Sequence, residues 1–127
     1  MRAQHPRWNL VAAVGGLLLV AGCGDQASLP HWNTGGDPRH GALIITRESC
    51  GACHAIPDIQ QADGQVGPSL THFAERTMIA GVLPNTPANL ERWIQYPQAI
   101  TPGNAMPNSG LDDAQARDVA AYLYTLK

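Results

Sequence analysis

The sequence predicts an all-α fold with about four short helices and long loops, and two observations carry this prediction. Apolar residues recur at helical spacing in several segments, and most of these segments begin with a capping residue. No segment alternates between apolar and polar residues as a half-exposed strand would. The 127 residues, 44% hydrophobic and 14% charged, are typical of one globular domain.

The first 22 residues predict an exported protein. Arg2 and Arg7 precede an apolar run from Leu10 to Ala21, which is shorter than the roughly 20 residues that a membrane-spanning helix needs. A basic start followed by such a run is typical of a secretory signal peptide. The alternative is a short membrane anchor that is retained.

The end of the apolar run, Val20-Ala21-Gly22-Cys23, resembles a bacterial lipobox. This resemblance implies that residues 1–22 are a lipoprotein signal peptide and that Cys23 carries acyl chains at the outer, periplasmic face of the cytoplasmic membrane. The alternative is a chance cysteine beside an ordinary cleavage site.

Residues 24–36 are rich in Gly, Pro, Asn and Ser and have no apolar period. They predict a flexible tether, so that residues 23–36 form the lipidated tether and residues 37–127 form the folded domain. We expect His31 and Trp32 to be exposed and without a role. Residues 23–127 carry six basic and ten acidic side chains, a net charge of −4, which argues against nucleic acid as a partner.

The first helix is expected to begin after Asp37, a good N-cap, with Pro38 in the first helical position. Ile44 and Ile45 form its apolar stripe, with Gly41 on the same side. We expect this helix to end close to residue 50.

Residues 55–70 are interrupted by Pro and Gly and predict a loop, after which residues 71–80 predict a short helix. Thr86 and Pro87 open the next helix, whose stripe contains Leu90, Trp93 and Ile94 and which Pro97 stops. The residues after Pro97, QAITPGNAMPNSG, are expected to be irregular.

Asp112 and Gln115 form a variant of the capping box at the start of the last helix. Leu111 and Ala116 are spaced as a hydrophobic staple. The apolar stripe of this segment is Ala116, Val119, Ala120, Leu123 and Leu126.

The sequence CGACH, residues 50–54, combines two thiols with a neighbouring imidazole. A thioredoxin-type dithiol needs a βαβ setting, which the helical pattern does not offer. A structural zinc site needs four ligands, and the other histidines stand alone. The pattern favours c-type haem attachment, with thioethers at Cys50 and Cys53 and His54 as the proximal iron ligand.

A haem would supply the core that a domain of about 91 residues with so many loops lacks. An electron carrier needs a sixth iron ligand, and Met106 in the loop PGNAMPNSG is the candidate. Met78 is the rival, but within a helix it is more often a packing residue. His72 is a weaker rival.

At these residues the chain resembles the class I cytochromes c. Gly41, Ile44 and Ile45 ahead of CGACH resemble the N-terminal helix of that family, and AAYLYTL resembles its C-terminal helix. The resemblance implies a class I cytochrome c fold around one covalently bound haem c. It implies that Tyr122 packs over Gly41. In GPSL (67–70), it implies that the Pro68 carbonyl orients the proximal histidine.

The segment after the motif resembles the cytochrome c domain of subunit II of bacterial haem–copper oxidases. The pieces that carry this likeness are THFA, LPNTP, WI and PGxxMP. It implies that Trp93 and Arg76 lie near the haem propionates. The plain alternative is a core tryptophan and a solvated arginine. That subunit has a copper-binding domain and transmembrane helices before its cytochrome domain, whereas this sequence has a lipobox, so we expect a cytochrome module on its own lipid tether.

The resemblance implies a membrane-tethered monohaem cytochrome that transfers single electrons in a bacterial respiratory chain. The acceptor would be a terminal oxidase, and the donor a cytochrome bc complex or a soluble carrier. Such a protein is an electron carrier and not an enzyme by itself. Two alternatives stay open: a haem-based gas-binding or peroxidase-like protein with a displaceable sixth ligand, and a haem-free dithiol lipoprotein.

Overall fold

The fold is built from short helices that begin at capping residues. The computed structural model describes Met1 and residues 32–127. Its elements are, in chain order, helix α1 (Pro38–Arg47), 3₁₀ turns at Cys50–Ala52 and Phe73–Glu75, strands β1 (Met78–Ile79) and β2 (Leu83–Pro84), and helices α2 (Pro87–Gln95), α3 (Pro97–Ile100) and α4 (Asp113–Leu123). The described part of the chain is mostly helical, as the sequence predicts.

The predicted caps of α1 and α4 are present. The Asp37 carboxylate accepts a hydrogen bond of 2.8 Å from the Arg39 N–H at the start of α1. At α4, Asp112 accepts a bond of 2.8 Å from the Gln115 N–H, and the Gln115 side chain accepts one of 3.1 Å from the Asp112 N–H. These bonds satisfy backbone donors that a helix start leaves without a partner.

Helices α1 and α4 approach each other closely at Gly41. A Cβ atom placed on Gly41 would lie 2.6 Å from the carbonyl carbon of Asp118 and 3.1 Å from the Cβ atom of Tyr122. Only glycine therefore fits this crossing without a shift of the backbone. The expected packing of Tyr122 beside Gly41 is confirmed.

The apolar stripes of α1, α2 and α4 meet in one core. Ile44, Ile45 and Leu90 are at most 1% exposed. All five residues of the predicted α4 stripe are buried, although Leu126 lies just beyond the end of the helix. Trp93 on α2 is half-buried against this core.

The predicted helix over residues 71–80 is wrong. Only Phe73–Glu75 form a 3₁₀ turn, and Met78 and Ile79 pair with β2 in an antiparallel ladder, so the expected absence of strands is also wrong. Asn85 supplies the reason, because its side-chain amide donates to the carbonyls of Phe73 (3.2 Å) and Arg76 (2.9 Å). A continuing helix would use those carbonyls for its own hydrogen bonds.

Pro97 ends α2, as predicted, but it also begins α3. The residues after it were expected to be irregular, but the first three of them complete this short helix, which ends at Ile100. Proline suits the first position of a helix because its missing N–H has no partner there.

The predicted exposure of Trp32 is wrong. Its ring lies 5.3 Å from the ring of Tyr124, centre to centre, and its Nε1–H donates to the Ala74 carbonyl at 3.4 Å. The last part of the predicted tether is therefore packed on the domain. The predicted signal peptide, Cys23 and His31 lie outside the described residues. No helix among residues 32–127 is long and apolar enough to cross a membrane.

Candidate functional site

The CGACH segment folds as a tight turn directly after α1. Ser49 adopts a left-handed conformation, with a φ angle of 56°, and redirects the chain out of the helix. The Cys53 and His54 N–H groups then both donate to the Cys50 carbonyl, at 3.2 and 3.1 Å. This turn holds both sulfur atoms and the imidazole on one short stretch of backbone.

Both thiols of the turn are free and half-buried, and they do not form a disulfide with each other. Burial raises the pKa of the Cys50 thiol, and the charge of Glu48 raises it further. A redox dithiol instead needs a lowered pKa on its attacking thiol. Cys50 is thus not activated as a thiolate nucleophile.

His54 is held in one tautomer by Pro68. Its Nδ1 atom lies 2.7 Å from the Pro68 carbonyl oxygen, which can only accept a hydrogen bond. The proton of the neutral ring is therefore on Nδ1, and Nε2 carries a free lone pair. A carbonyl partner of this kind is what orients metal-binding histidines.

Gly67 lies against the ring of His54. A Cβ atom placed on Gly67 would lie 2.6 Å from Nδ1 and 2.9 Å from Nε2 of that ring. The segment carrying Pro68 can come this close only because residue 67 has no side chain. Gly67 and Pro68 together fix the plane of the imidazole.

The loop of residues 62–70 packs on the CGACH turn through backbone hydrogen bonds. Gly64 donates to the Gly51 carbonyl at 3.0 Å, and Gly67 donates to the Cys53 carbonyl at 2.8 Å. A Cβ atom on Gly51 would lie 2.6 Å from the Cα atom of Ala62. Gly51 and Gly64 were not singled out from the sequence, because the backbone that each approaches is more than ten residues away along the chain.

Met106 lies in a separate loop that is tied to α2 and α3. Its N–H donates to the Asn104 side chain at 2.8 Å, and its carbonyl accepts from the Gln98 side chain at 2.7 Å. The Met106 residue is half-buried, whereas the rival Met78 is 41% exposed on β1. Neither Gln98 nor Asn104 was singled out from the sequence, because nothing local in the sequence marks them.

Arg76 connects the segment after Pro68 to the domain. Its guanidinium donates to the carbonyls of Ser69 and Thr71 and lies 5.3 Å from the centre of the Phe73 ring. These hydrogen bonds fix the backbone directly after Pro68, whose carbonyl accepts the hydrogen bond from His54. That Arg76 and Trp93 contact haem propionates remains a prediction.

These features define a class of protein. A covalently attached haem needs two thiols close together and two side chains that can bind its iron. The structure offers two free thiols on one turn, an imidazole with a free Nε2 lone pair, and a methionine in a fixed loop. Within residues 32–127, no three side chains of the types His, Cys, Asp and Glu are grouped to hold a metal ion by themselves.

Comparison with known proteins agrees with this class. The family model of cytochrome c matches residues 39–127. The chain belongs to the cytochrome c family and has the class I cytochrome c fold, and its cofactor is covalently bound haem c. The predicted fold class and cofactor are thereby confirmed.

Three relatives illustrate the range of the similarity. Cytochrome c oxidase subunit 2 of Alkalihalophilus pseudofirmus is 39% identical over 88 residues, which cover 68% of this chain and 25% of that protein. The same subunit of Bacillus subtilis is 32% identical over 93 residues, which cover 70% of this chain and 26% of that protein. Cytochrome c2 of Rhodopila globiformis is 35% identical over 106 residues, which cover 72% of this chain and 95% of that protein. The chain thus spans about a quarter of the oxidase subunits but nearly all of the cytochrome c2.

Proposed function

We propose that this protein is a membrane-tethered cytochrome that passes single electrons to a terminal haem–copper oxidase. Membership of the cytochrome c family supports electron transfer. The observation that carries the assignment of the site is the hydrogen bond of 2.7 Å from His54 in the CGACH turn to the Pro68 carbonyl in a separate loop, because it leaves Nε2 free to bind iron.

The site residues have distinct roles in this proposal. Cys50 and Cys53 would hold the haem covalently through their sulfur atoms. His54 Nε2 and the Met106 sulfur would bind its iron. The bound haem c supplies an iron that changes between the ferrous and ferric states, and methionine/histidine ligation favours a high potential.

The protein surroundings keep these ligands fixed during electron transfer. Pro68 and Gly67 hold the imidazole. No substrate bond is broken, so the chain acts as an electron carrier.

The oxidase as acceptor is supported by the similarity to cytochrome c oxidase subunit 2. Cytochrome bc complexes or soluble carriers are the proposed donors. The lipobox supports a lipid anchor at Cys23 and a position at the outer, periplasmic face of the cytoplasmic membrane. Such an anchor raises the effective concentration of the cytochrome near membrane partners.

The central experiment measures covalent haem and its ligands in the protein expressed with the c-type maturation machinery. The wild-type protein should give a haem c pyridine haemochrome that stays with the denatured chain, and a Cys50→Ala, Cys53→Ala double variant should lose it. The far-red absorbance band of the ferric protein should disappear in Met106→Ala and remain in Met78→Ala.

Two outcomes would contradict the proposal. Absence of covalent haem in the wild-type protein would leave the dithiol alternative. A Met106→Ala variant that keeps the far-red band would show that another residue is the sixth ligand. Oxidation of the reduced wild-type protein by oxidase-containing membranes tests the acceptor, and failure of this reaction alone would refute the partner but not the site.

A further inference from the structure

Two side-chain amides bind the backbone of Met106 from both sides. The Asn104 oxygen Oδ1 accepts from the Met106 N–H at 2.8 Å. The Gln98 nitrogen Nε2 donates to the Met106 carbonyl at 2.7 Å. Both hydrogen-bonding groups of this residue are therefore occupied by side chains rather than by secondary structure.

The two amides are themselves held at several points. Gln98 Nε2 also donates to the Asn104 carbonyl at 2.8 Å, and Gln98 Oε1 accepts from the Gly103 N–H at 3.0 Å. Asn104 Nδ2 donates to the carbonyls of Pro97 and Thr101, at 3.0 and 2.7 Å. A network in which each amide is fully used holds one geometry better than isolated bonds do.

This network joins a loop of irregular structure to α3, a short helix whose first residue is buried in the domain. Pro97, the first residue of α3, is fully buried, and Gln98 follows it directly. Residues 102–110 lie outside helices and strands, so their backbone has no regular ladder to fix it. The position of Met106 therefore depends on these two side chains.

We propose that Gln98 and Asn104 are positioning residues for the sixth iron ligand. The inference rests on the proposed function, in which the Met106 sulfur is that ligand. By fixing the Met106 backbone, Gln98 and Asn104 hold the Met106 sulfur in place whether or not the bond between that sulfur and iron is strong. This matters most in the ferric state, because a soft thioether binds the harder ferric ion less well.

The proposal predicts how readily an added ligand replaces Met106. We expect Gln98→Ala and Asn104→Ala each to speed cyanide binding to the ferric holoprotein by about fivefold to tenfold, the factor that loss of a typical hydrogen bond supplies. The reduction potential should fall in both variants, because the loosened ligand leaves the ferric state first. The acceleration of cyanide binding in the double variant should be smaller than the product of the two single accelerations, since both residues hold one loop.

The isosteric Gln98→Glu variant separates hydrogen bonding from packing. It keeps the size of the side chain and the acceptor for Gly103, but it loses both donated bonds. We expect cyanide binding at least as fast as in Gln98→Ala. A wild-type rate in Gln98→Glu would overturn the role of the donated bonds.

Matched controls remove similar amides far from the loop. Gln115→Ala breaks the capping box of α4, and Asn89→Ala breaks a bond of 3.0 Å to the Pro84 carbonyl. Both should bind cyanide within about twofold of the wild-type rate, as expected for independent distant sites. If Gln98→Ala and Asn104→Ala behave like these controls while Met106→Ala binds cyanide rapidly, the positioning role is refuted and the proposed function stands.

Two further results keep the proposal falsifiable. If Met106→Ala binds cyanide no faster than the wild type, the ligand assignment fails and the positioning role fails with it. If the loop variants do not fold, amide hydrogen exchange of the wild-type holoprotein decides. The Met106 amide should exchange at least about tenfold more slowly than the amide of the neighbouring exposed Ala105, as its hydrogen bond requires. Equal rates would overturn the proposal.

Discussion

The Pro68 carbonyl accepts a hydrogen bond of 2.7 Å from the Nδ1 atom of His54, across 14 residues of chain. The turn that carries the imidazole and the loop that orients it are therefore separate segments. Gly67 lets them meet, because the His54 ring occupies the space that a side chain at position 67 would need.

Gly67→Ala should damage the site through this contact. The added Cβ would force the His54 ring or the loop to move, at a cost of about 1–3 kcal/mol in the free energy of unfolding, as for other overpacked positions. Because either movement disturbs the hydrogen bond between His54 and Pro68, the haem absorbance and reduction potential should change as well. Urea unfolding and redox titration of the holoprotein measure both effects.

Gly81→Ala, in the turn between β1 and β2, is the control for this change. Gly81 has a φ angle of 73°, and no atom lies within 4 Å of the position that a Cβ atom on it would take. Alanine there should cost about 1–2 kcal/mol through the left-handed backbone alone, with no spectral change. An unchanged spectrum in Gly67→Ala as well would mean that Gly67 does not control the imidazole.

Trp32→Ala should destabilise the domain although Trp32 precedes α1. The substitution removes the packing on Tyr124 and the hydrogen bond to the Ala74 carbonyl, with an expected loss of about 1–3 kcal/mol. Trp32→Phe keeps an aromatic ring and should lose less. Urea unfolding checks the order of the two variants, and a wild-type stability for Trp32→Ala would show that residues 32–36 do not belong to the folded unit.

Asp118 should contribute to the acid sensitivity of the protein. Its carboxylate accepts from the Asp37 N–H and contacts His40 Nδ1, both at 2.7 Å, and the first of these bonds lowers the Asp118 pKa most. The folded state therefore favours the charged carboxylate. The stabilising effect of the charged Asp118 carboxylate is complete above pH 3.8, the ordinary pKa of Asp. It is lost as the pH falls through the lower pKa of Asp118 in the folded protein.

Asp118→Asn isolates this effect because it keeps the shape of the side chain and removes its titration. The free energy of unfolding of the variant should fall less steeply than that of the wild type between about pH 5 and pH 2, the range in which a lowered Asp titrates. Urea unfolding across this range makes the comparison. Parallel curves for the two proteins would contradict the expectation.

Cys23→Ser should release the protein from membranes and leave the haem in place. The change removes the proposed site of lipid attachment and lies outside residues 37–127, which carry the site. Membrane fractionation after a salt wash, with the haem content of each fraction, gives the result. Retention of the variant in the membrane fraction would favour an uncleaved N-terminal anchor or a protein complex.

The sequence by itself determined the features that depend on near neighbours. Asp37, Asp112 and Gln115 cap their helices within three residues of chain, so the local pattern was sufficient to predict them. The CGACH motif is equally local, because two thioethers and a proximal imidazole require fixed spacing on one turn. The apolar stripes then predicted which helix faces form the core.

The tertiary structure decided the features whose partners are distant in sequence. Residues 71–80 have an acceptable local pattern for a helix, but Asn85 takes two of their carbonyls and leaves only a 3₁₀ turn. Trp32 resembled part of a tether because Tyr124, its stacking partner, is at the other end of the chain. Gln98 and Asn104 are ordinary polar residues until α3 and the loop fold back on each other and bring their amides to the Met106 backbone. A hydrogen bond or ring contact of this kind depends on where the backbone goes, and local propensity does not encode that path.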